Sequence, residues 1–371
     1  MKKPKLKEIH GVLFLENRIR IGSGFGYASE IENPSDKYTE LFKNLTGEYD
    51  VDTLVKKTVS SRLSEEEIVE AIETLFNSGY LEEADYDVSE QLTEKELERY
   101  KVNLNFFNTL SNPNMSKYDY QIKLKNSHVI IFGLGGIGSN ICMALTELGV
   151  GKITAFDFDV VELSNLNRQL LYSTNSVGKL KVEEATRRVN DFNPEIEFNA
   201  IHKKISSAEE VEQLLNEYSG DVVVNVADFP TGYIDFWINK ACVNKKIPLF
   251  TALVAKKDGR SYSVIPGETA CYNCQYLEEI ENNPKYIEEL AATRVETNDD
   301  LGLYRTPNGA LGPTCLFHGY FVSYEILRYL LFGSKKILTY NKRFKIDFMT
   351  FETKFEDLKI MDSCEVCSNK S

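Results

Sequence analysis

Val129-Ile130-Ile131-Phe132-Gly133-Leu134-Gly135-Gly136-Ile137-Gly138-Ser139-Asn140 is the stretch that decides how the chain is read. An apolar run breaks into glycines and then into a helical pattern, which reads as strand, tight turn and helix. Gly133 and Gly135 allow a sharp turn and a close approach to a phosphate, and Gly138 allows the helix to pack tightly on the strand. The helix start offers free N–H groups and the positive end of a dipole to an anion. Asp157 closes a second apolar run, Ile153-Thr154-Ala155-Phe156, at the spacing where such folds place an acid on a ribose hydroxyl. A nucleotide is therefore the expected ligand of Gly133, Gly135, Gly136, Gly138 and Asp157.

The 371 residues exceed one typical domain, so a large unit with a smaller one is expected. A net charge of −13 is a poor match to nucleic acid, and no segment reads as a signal peptide or a membrane span. Four of the seven cysteines fall in two C-x-x-C pairs, Cys271/Cys274 and Cys364/Cys367. That usage suits a soluble cytoplasmic protein with a metal site better than a disulfide scaffold. Paired with each other, the two knuckles make a closed thiolate site for structural zinc.

The first 88 residues read as hairpin, three short helices and strand. Residues 12–21 alternate apolar and charged side chains, and Gly22 to Gly26 turns the chain. Ser64 and Glu67 form a capping box ahead of Ile68, Ala71, Ile72, Leu75 and Phe76, and Gly79 closes that helix. The pattern is winged-helix-like (α+β), a form often used to read DNA. Counterion release needs a basic face, however, and residues 1–88 carry 11 Lys or Arg against 18 Asp or Glu. Peptide recognition by strand addition is the expectation here, with a structural or dimerisation module as the alternative. The boundaries read as 1–88 for this unit and 89–371 for a Rossmann-like α/β mixed-sheet domain.

Beyond Asp157 the chain runs Phe158-Asp159, then Asn165-Leu166-Asn167-Arg168-Gln169 and Lys181. A plain dinucleotide site needs no such group of cations and amides, whereas charge on a transferring phosphate does. A further apolar run, residues 221–227, ends on Asp228, and an acid at a strand's carboxyl end faces the ligand crevice, where it can hold magnesium. Here the chain resembles the ThiF/MoeB adenylating superfamily, which also contains ubiquitin-activating enzymes. The resemblance rests on Gly133-x-Gly-Gly-x-Gly138, Asp157-x-Asp159, Asn165-x-x-Arg168-Gln169 and Lys181, in family order and spacing from about Arg99 to the C-terminus. It implies ATP and Mg2+ as well as Zn2+, with Asp228, Arg168 and Lys181 catalytic and Asp159, Asn165 and Gln169 around the nucleotide. A homodimer is implied too.

Two departures stand out. The family's arginine that reaches across the dimer has Val102 in its place, with Arg99 and Lys101 nearby. Leu277 to Asn308 holds no cysteine, which separates the chain from thioester-forming activators; Cys315 is expected to be a buried helix residue. Within the superfamily the chain resembles the MccB-like enzymes that adenylate a ribosomally made precursor peptide. Arg99-Tyr100 with Phe106-Phe107, Ala227-Asp228-x-Pro230, Trp237-Ile238-Asn239-Lys240-x-Cys242-Val243, Pro266-Gly267-x-Thr269-x-Cys271-Tyr272-x-Cys274-Gln275 and Leu338-Thr339-x-Asn341-Lys342-Arg343 carry that likeness. Pantocin-like activation of glutamate side chains, activation of a sulfur-carrier protein and an NAD-dependent oxidoreductase are the alternatives.

Overall fold

The computed structural model describes residues 1–22, 28–283, 285, 288 and 309–368, and the chain divides into two compact units, Met1–Ile122 and Lys123–Ser371. Past Gly22, the glycine turn expected before residue 27 lies outside the described residues.

In the first unit, β1 (Pro4–Leu6) pairs antiparallel with β5 (Leu81–Glu83). A separate antiparallel sheet joins β2 (Val12–Leu15), β3 (Arg18–Ile21) and β4 (Ser29–Glu32), with β3 central, so the expected hairpin gains a third strand. Ile19 and Ile21 of β3 are fully buried against α1 (Thr39–Asn44), α2 (Val51–Thr58) and α3 (Glu65–Asn77) through Leu41, Leu54 and Ile68. Ser64 and Glu67 cap α3 reciprocally, as the sequence predicts. α4 (Glu94–Arg99) and α5 (Lys101–Leu110) follow, and α6 (Lys117–Lys125) leads into the second unit.

The second unit is built on a mixed eight-stranded sheet. β6 (His128–Phe132) is buried at every position, as befits a parallel strand covered on both faces. It pairs parallel with β7 (Lys152–Asp157) on one side and β9 (Val222–Asn225) on the other; β8 (Glu197–His202) and β10 (Leu249–Ala255) extend the parallel part outward. β11 (Asp258–Val264), β12 (Lys342–Asp347) and β13 (Thr353–Asp357) continue it antiparallel. Strand order is β13-β12-β11-β10-β9-β6-β7-β8, which reverses beside β6 and opens a crevice at the strands' carboxyl ends.

Helix α7 (Gly138–Leu148) follows β6 and packs on the long helix Gly312–Phe332, while α8 (Lys181–Phe192) returns the chain from β7 to β8. Val211 and Leu215 of α9 (Ala208–Tyr218), with Ile234 and Ile238 of α10 (Ile234–Lys245), join Ile130, Phe132 and Val223 in one core. α11 (Tyr272–Asn282) carries Cys274 into the same core. One expectation is corrected here: β9 stops at Asn225 and does not run on to Asp228. The Asn225 side chain takes the Ala227 N–H at 3.2 Å and donates to Asp235 at 2.7 Å, which draws the backbone out of the ladder and leaves Asp228 on a loop.

Candidate functional site

The crevice beside β6 is a cavity of about 1160 Å³ within the second unit. Its rim starts at the glycine turn. Gly133 has φ +95°, and a Cβ there would lie 2.9 Å from the Ala227 nitrogen. A Cβ on Gly138 would lie 1.9 Å from the Gly133 carbonyl oxygen, so both positions demand glycine to close strand on helix. Gly135 differs, because nothing stands within 4 Å of where its Cβ would be. Gly133, Gly135 and Gly136 line the cavity, and the Gly135 and Gly136 amides donate to no backbone or side-chain acceptor among the described residues. Free amides at a helix start suit a phosphate.

Asp157 ends β7 with 7% exposure, and its two oxygens accept the Leu134 and Asp159 N–H groups at 2.7 and 2.8 Å. Burial raises its pKa, and the Lys181 charge works against that rise. A carboxylate has about four acceptor positions, so Asp157 can brace the glycine turn and still accept a ribose hydroxyl.

Lys181, at the start of α8, is buried and donates to Asp159 at 2.7 Å. Arg168 lays its stem over Gly136 and donates to the Ser164 carbonyl at 2.9 Å and the Asn167 side chain at 2.8 Å. Asn165 accepts the Glu162 N–H at 3.1 Å. Gln169 is 3% exposed, and its Oε1 has no partner among the described residues. Asp228 is exposed at the cavity wall, and its carboxylate has no hydrogen-bond partner among the described residues, so it is available to a cation. Every residue expected at the site therefore lines one cavity except Gly138, which works beneath it.

Several further residues line the cavity that the sequence does not mark as site residues. Asp235, in the first turn of α10, carries a carboxyl that burial pushes up to about 6. Phe158 and Phe229 approach each other at 5.8 Å, with the Lys204 ammonium 4.7 Å from the Phe229 ring. Arg260, Tyr262, Gln275 and Arg343 form the wall on the antiparallel side. Cys315 also reaches the cavity, but burial raises its pKa, against a thiolate role. The stretch expected to lack a loop cysteine lies mostly outside the described residues.

The two knuckles converge. Cys271, Cys274, Cys364 and Cys367 place their sulfurs within 4.8 Å of one another, all as free thiols, with neighbouring separations of 3.2 to 4.0 Å. A tetrahedral zinc with Zn–S bonds of about 2.3 Å requires sulfurs about 3.8 Å apart. The four residues fit that ion, which would pin the C-terminal segment to α11.

A glycine turn at a parallel switch point, an acid on the neighbouring strand and converging cations are the features of a nucleotide-binding α/β fold, here beside a four-cysteine cluster that could hold a metal ion. The chain belongs to the ThiF family, whose model matches residues 107–369. It is 31% identical to the molybdopterin-synthase adenylyltransferase of Escherichia coli over 258 residues, 67% of this chain and 90% of that enzyme. It is 32% identical to the SAMP-activating enzyme E1 of Haloferax volcanii over 176 residues, 47% of this chain and 62% of that enzyme, so the match leaves over a third of that relative uncovered. Among solved structures, E. coli MccB with ATP superposes at a TM-score of 0.70 and 22% identity, covering 98% of this chain and 99% of that one. MccB with N-formylated MccA gives a TM-score of 0.71 at the same identity, likewise covering 98% and 99%. At that identity the likeness speaks to fold. No helix among the described residues is long and apolar enough to cross a membrane.

Proposed function

We propose that the chain is an ATP-dependent adenylyltransferase that activates a carboxylate of a ribosomally made precursor peptide and completes its task without an enzyme thioester. The observation that carries this is the gathering of the glycine turn, Asp157, Arg168, Lys181 and Asp228 around one cavity. A carboxylate is already ionised at neutral pH, so no general base is needed. Its oxygen attacks the α-phosphorus, the bond from that phosphorus to the pyrophosphate bridging oxygen breaks, and pyrophosphate leaves with the electron pair. Alignment and neutralisation of charge are then the protein's tasks. Asp157 holds the ribose, the Gly135 and Gly136 amides meet phosphate, and Arg168 and Lys181 offset the charge of the leaving group. Asp228 would hold magnesium, which supplies further positive charge to the phosphates.

The peptide half of the reading is supported by the whole-length fold likeness to MccB, a protein solved with ATP and with N-formylated MccA. Within the first unit, β2 and β4 are edge strands, and Leu13 and Phe14 of β2 are 55% and 44% exposed, a surface suited to an added strand. A homodimer belongs to the same reading, and Phe317, Tyr320 and Tyr324 stand exposed on the long helix. Activation of a sulfur-carrier protein is the second reading, favoured by the 31% identity to the molybdopterin-synthase enzyme.

The test is ATP–pyrophosphate exchange in the presence of peptides encoded beside the gene and, separately, of small sulfur-carrier proteins. Exchange that depends on the peptide supports the first reading, and exchange with the carrier alone moves the chain to the second. Asp228→Asn should lower exchange by about 100-fold or more at unchanged melting temperature, since the carboxylate is exposed and makes no hydrogen bond within the described protein. Exchange within threefold of the parent would remove Asp228 from the metal role.

A further inference from the structure

The antiparallel side of the cavity holds more donors than acceptors. Tyr262 of β11 stands opposite Arg343 of β12, which makes Arg260 and Arg343 diagonal neighbours on one face of the sheet. Lys345, opposite Arg260, and Lys354 are on the same face, and one carboxylate, Glu356, serves this group: it lies 2.6 Å from Lys345, 3.3 Å from Lys354 and 3.9 Å from Arg343. The Arg260 guanidinium has no ion pair or hydrogen bond among the described residues, although its main chain is paired in the sheet. Asp235 and Glu279 line the same cavity, yet neither pairs with a guanidinium there. Like charges directly opposite on a sheet, as Arg260 and Lys345 are, are unfavourable unless an anion offsets them, and Glu356 reaches Lys345 but forms no ion pair with Arg260.

A buried amide adds to the set. Gln275 is 6% exposed and lines the cavity, and its Oε1 accepts the Arg343 Nη2 and Nε groups at 2.9 and 3.3 Å. Those two bonds fix the amide orientation, because the flipped form would face its NH2 to the guanidinium. Nε2 is consequently left without an acceptor among the described residues, which is costly for a buried donor. The Arg260 guanidinium and the Gln275 Nε2 group thus lack the same thing, an acceptor oxygen, and one that carries negative charge would serve both.

We propose that Arg260, Arg343 and the Gln275 amide form a second anion subsite, which holds a carboxylate of the substrate other than the one that is adenylated. The inference deepens the adenylation reading and rests on it. It makes the activated end of the peptide dianionic, with an acidic residue at the terminus. A terminal glycine or asparagine leaves the Arg260 guanidinium and the Gln275 Nε2 group without an anionic partner.

The test uses the full-length protein with magnesium and a non-hydrolysable ATP analogue, titrated calorimetrically with N-acetyl-glutamate and N-acetyl-aspartate, then with N-acetyl-glutamine and N-acetyl-asparagine. The diacids should bind about tenfold more tightly than their amides, the gain expected of one charge-assisted contact. Arg260→Gln should shrink that preference below about twofold, and its melting temperature reports that the fold is kept, since Arg260 is exposed. Equal affinities, a preference that survives in R260Q, or no binding of either class while the nucleotide binds would each overturn the subsite. Failure of the nucleotide itself to bind overturns the adenylation reading instead, so the two failures are distinct.

Discussion

Lys181 Nζ lies 2.7 Å from Asp159 Oδ2, and the same lysine's main-chain N–H donates to the Asp159 carbonyl at 3.0 Å. The lysine side chain is 6% exposed and the aspartate 48%. This pair ties the start of α8 to the loop after β7 and holds a cation at the cavity wall. Removing the acid takes away that cation's direct partner and leaves only the more distant Asp157 charge. Asp159→Asn should cost about 1–2 kcal/mol, below the figure for a wholly buried pair because water screens one partner. Phosphates entering the cavity should then replace the lost charge, so ATP should raise the melting temperature of the variant more than that of the parent. Equal shifts by differential scanning fluorimetry would show that Lys181 does not face the nucleotide.

The glycines of the turn separate into two kinds, and substitution by alanine should tell them apart. Gly138→Ala puts a methyl 1.9 Å from a main-chain oxygen with no flexible neighbour to yield, so the expected outcome is a loss of about 3 kcal/mol or more, or failure to fold. Gly135→Ala meets nothing within 4 Å, so stability should stay within about 0.5 kcal/mol of the parent. Its cost should emerge in ATP affinity, where the methyl occupies the approach of a phosphate. Denaturant titration alongside ATP binding measures both.

What is legible in the sequence is what lies close along the chain. Val129 to Gly138 specify strand, turn and helix within ten residues, and Asp157 follows at the next strand end, so this wall of the cavity can be assembled from the sequence alone. The same strand-end logic places Asp228, yet the strand stops at Asn225, whose side-chain oxygen takes the Ala227 N–H. Arg260, Gln275 and Arg343 are not legible as a site. They come from two strands and a helix and meet only through the register that sets Tyr262 opposite Arg343, which periodicity along one segment does not encode.

The four-cysteine cluster supplies a prediction on stability. Cys271 and Cys274 join Cys364 in the core that also holds Ile238 and Leu358, so a metal there links α11, the sheet and the C-terminal segment. Cys364→Ser should reduce zinc below one equivalent per chain by elemental analysis and lower the melting temperature, since metal binding in such sites contributes directly to folding. A chelator should do the same to the parent and leave the variant little changed. A full zinc complement in the variant would overturn the four-thiolate assignment.

Asp235 predicts a pH dependence with a definite sign. Burial, aided by the nearby Asp228 charge and opposed by the Asn225 hydrogen bond, raises its pKa from 3.8 to about 6. Between those values the folded protein keeps a proton that the unfolded chain has released, so this group's contribution to stability falls as pH rises through the window. Above pH 6 the penalty is constant and amounts to about 3 kcal/mol at most, because each tenfold change in proton affinity is worth about 1.4 kcal/mol. Asp235→Asn keeps an oxygen to accept the Asn225 donor and carries no charge to desolvate. The variant should match the parent near pH 4 and become more stable relative to it up to about pH 6, with a plateau beyond. Denaturant titrations across pH 4 to 8 measure the difference directly. A difference that is flat with pH would mean that Asp235 ionises in the folded protein as it does in water, with the cavity wall open to solvent at that point.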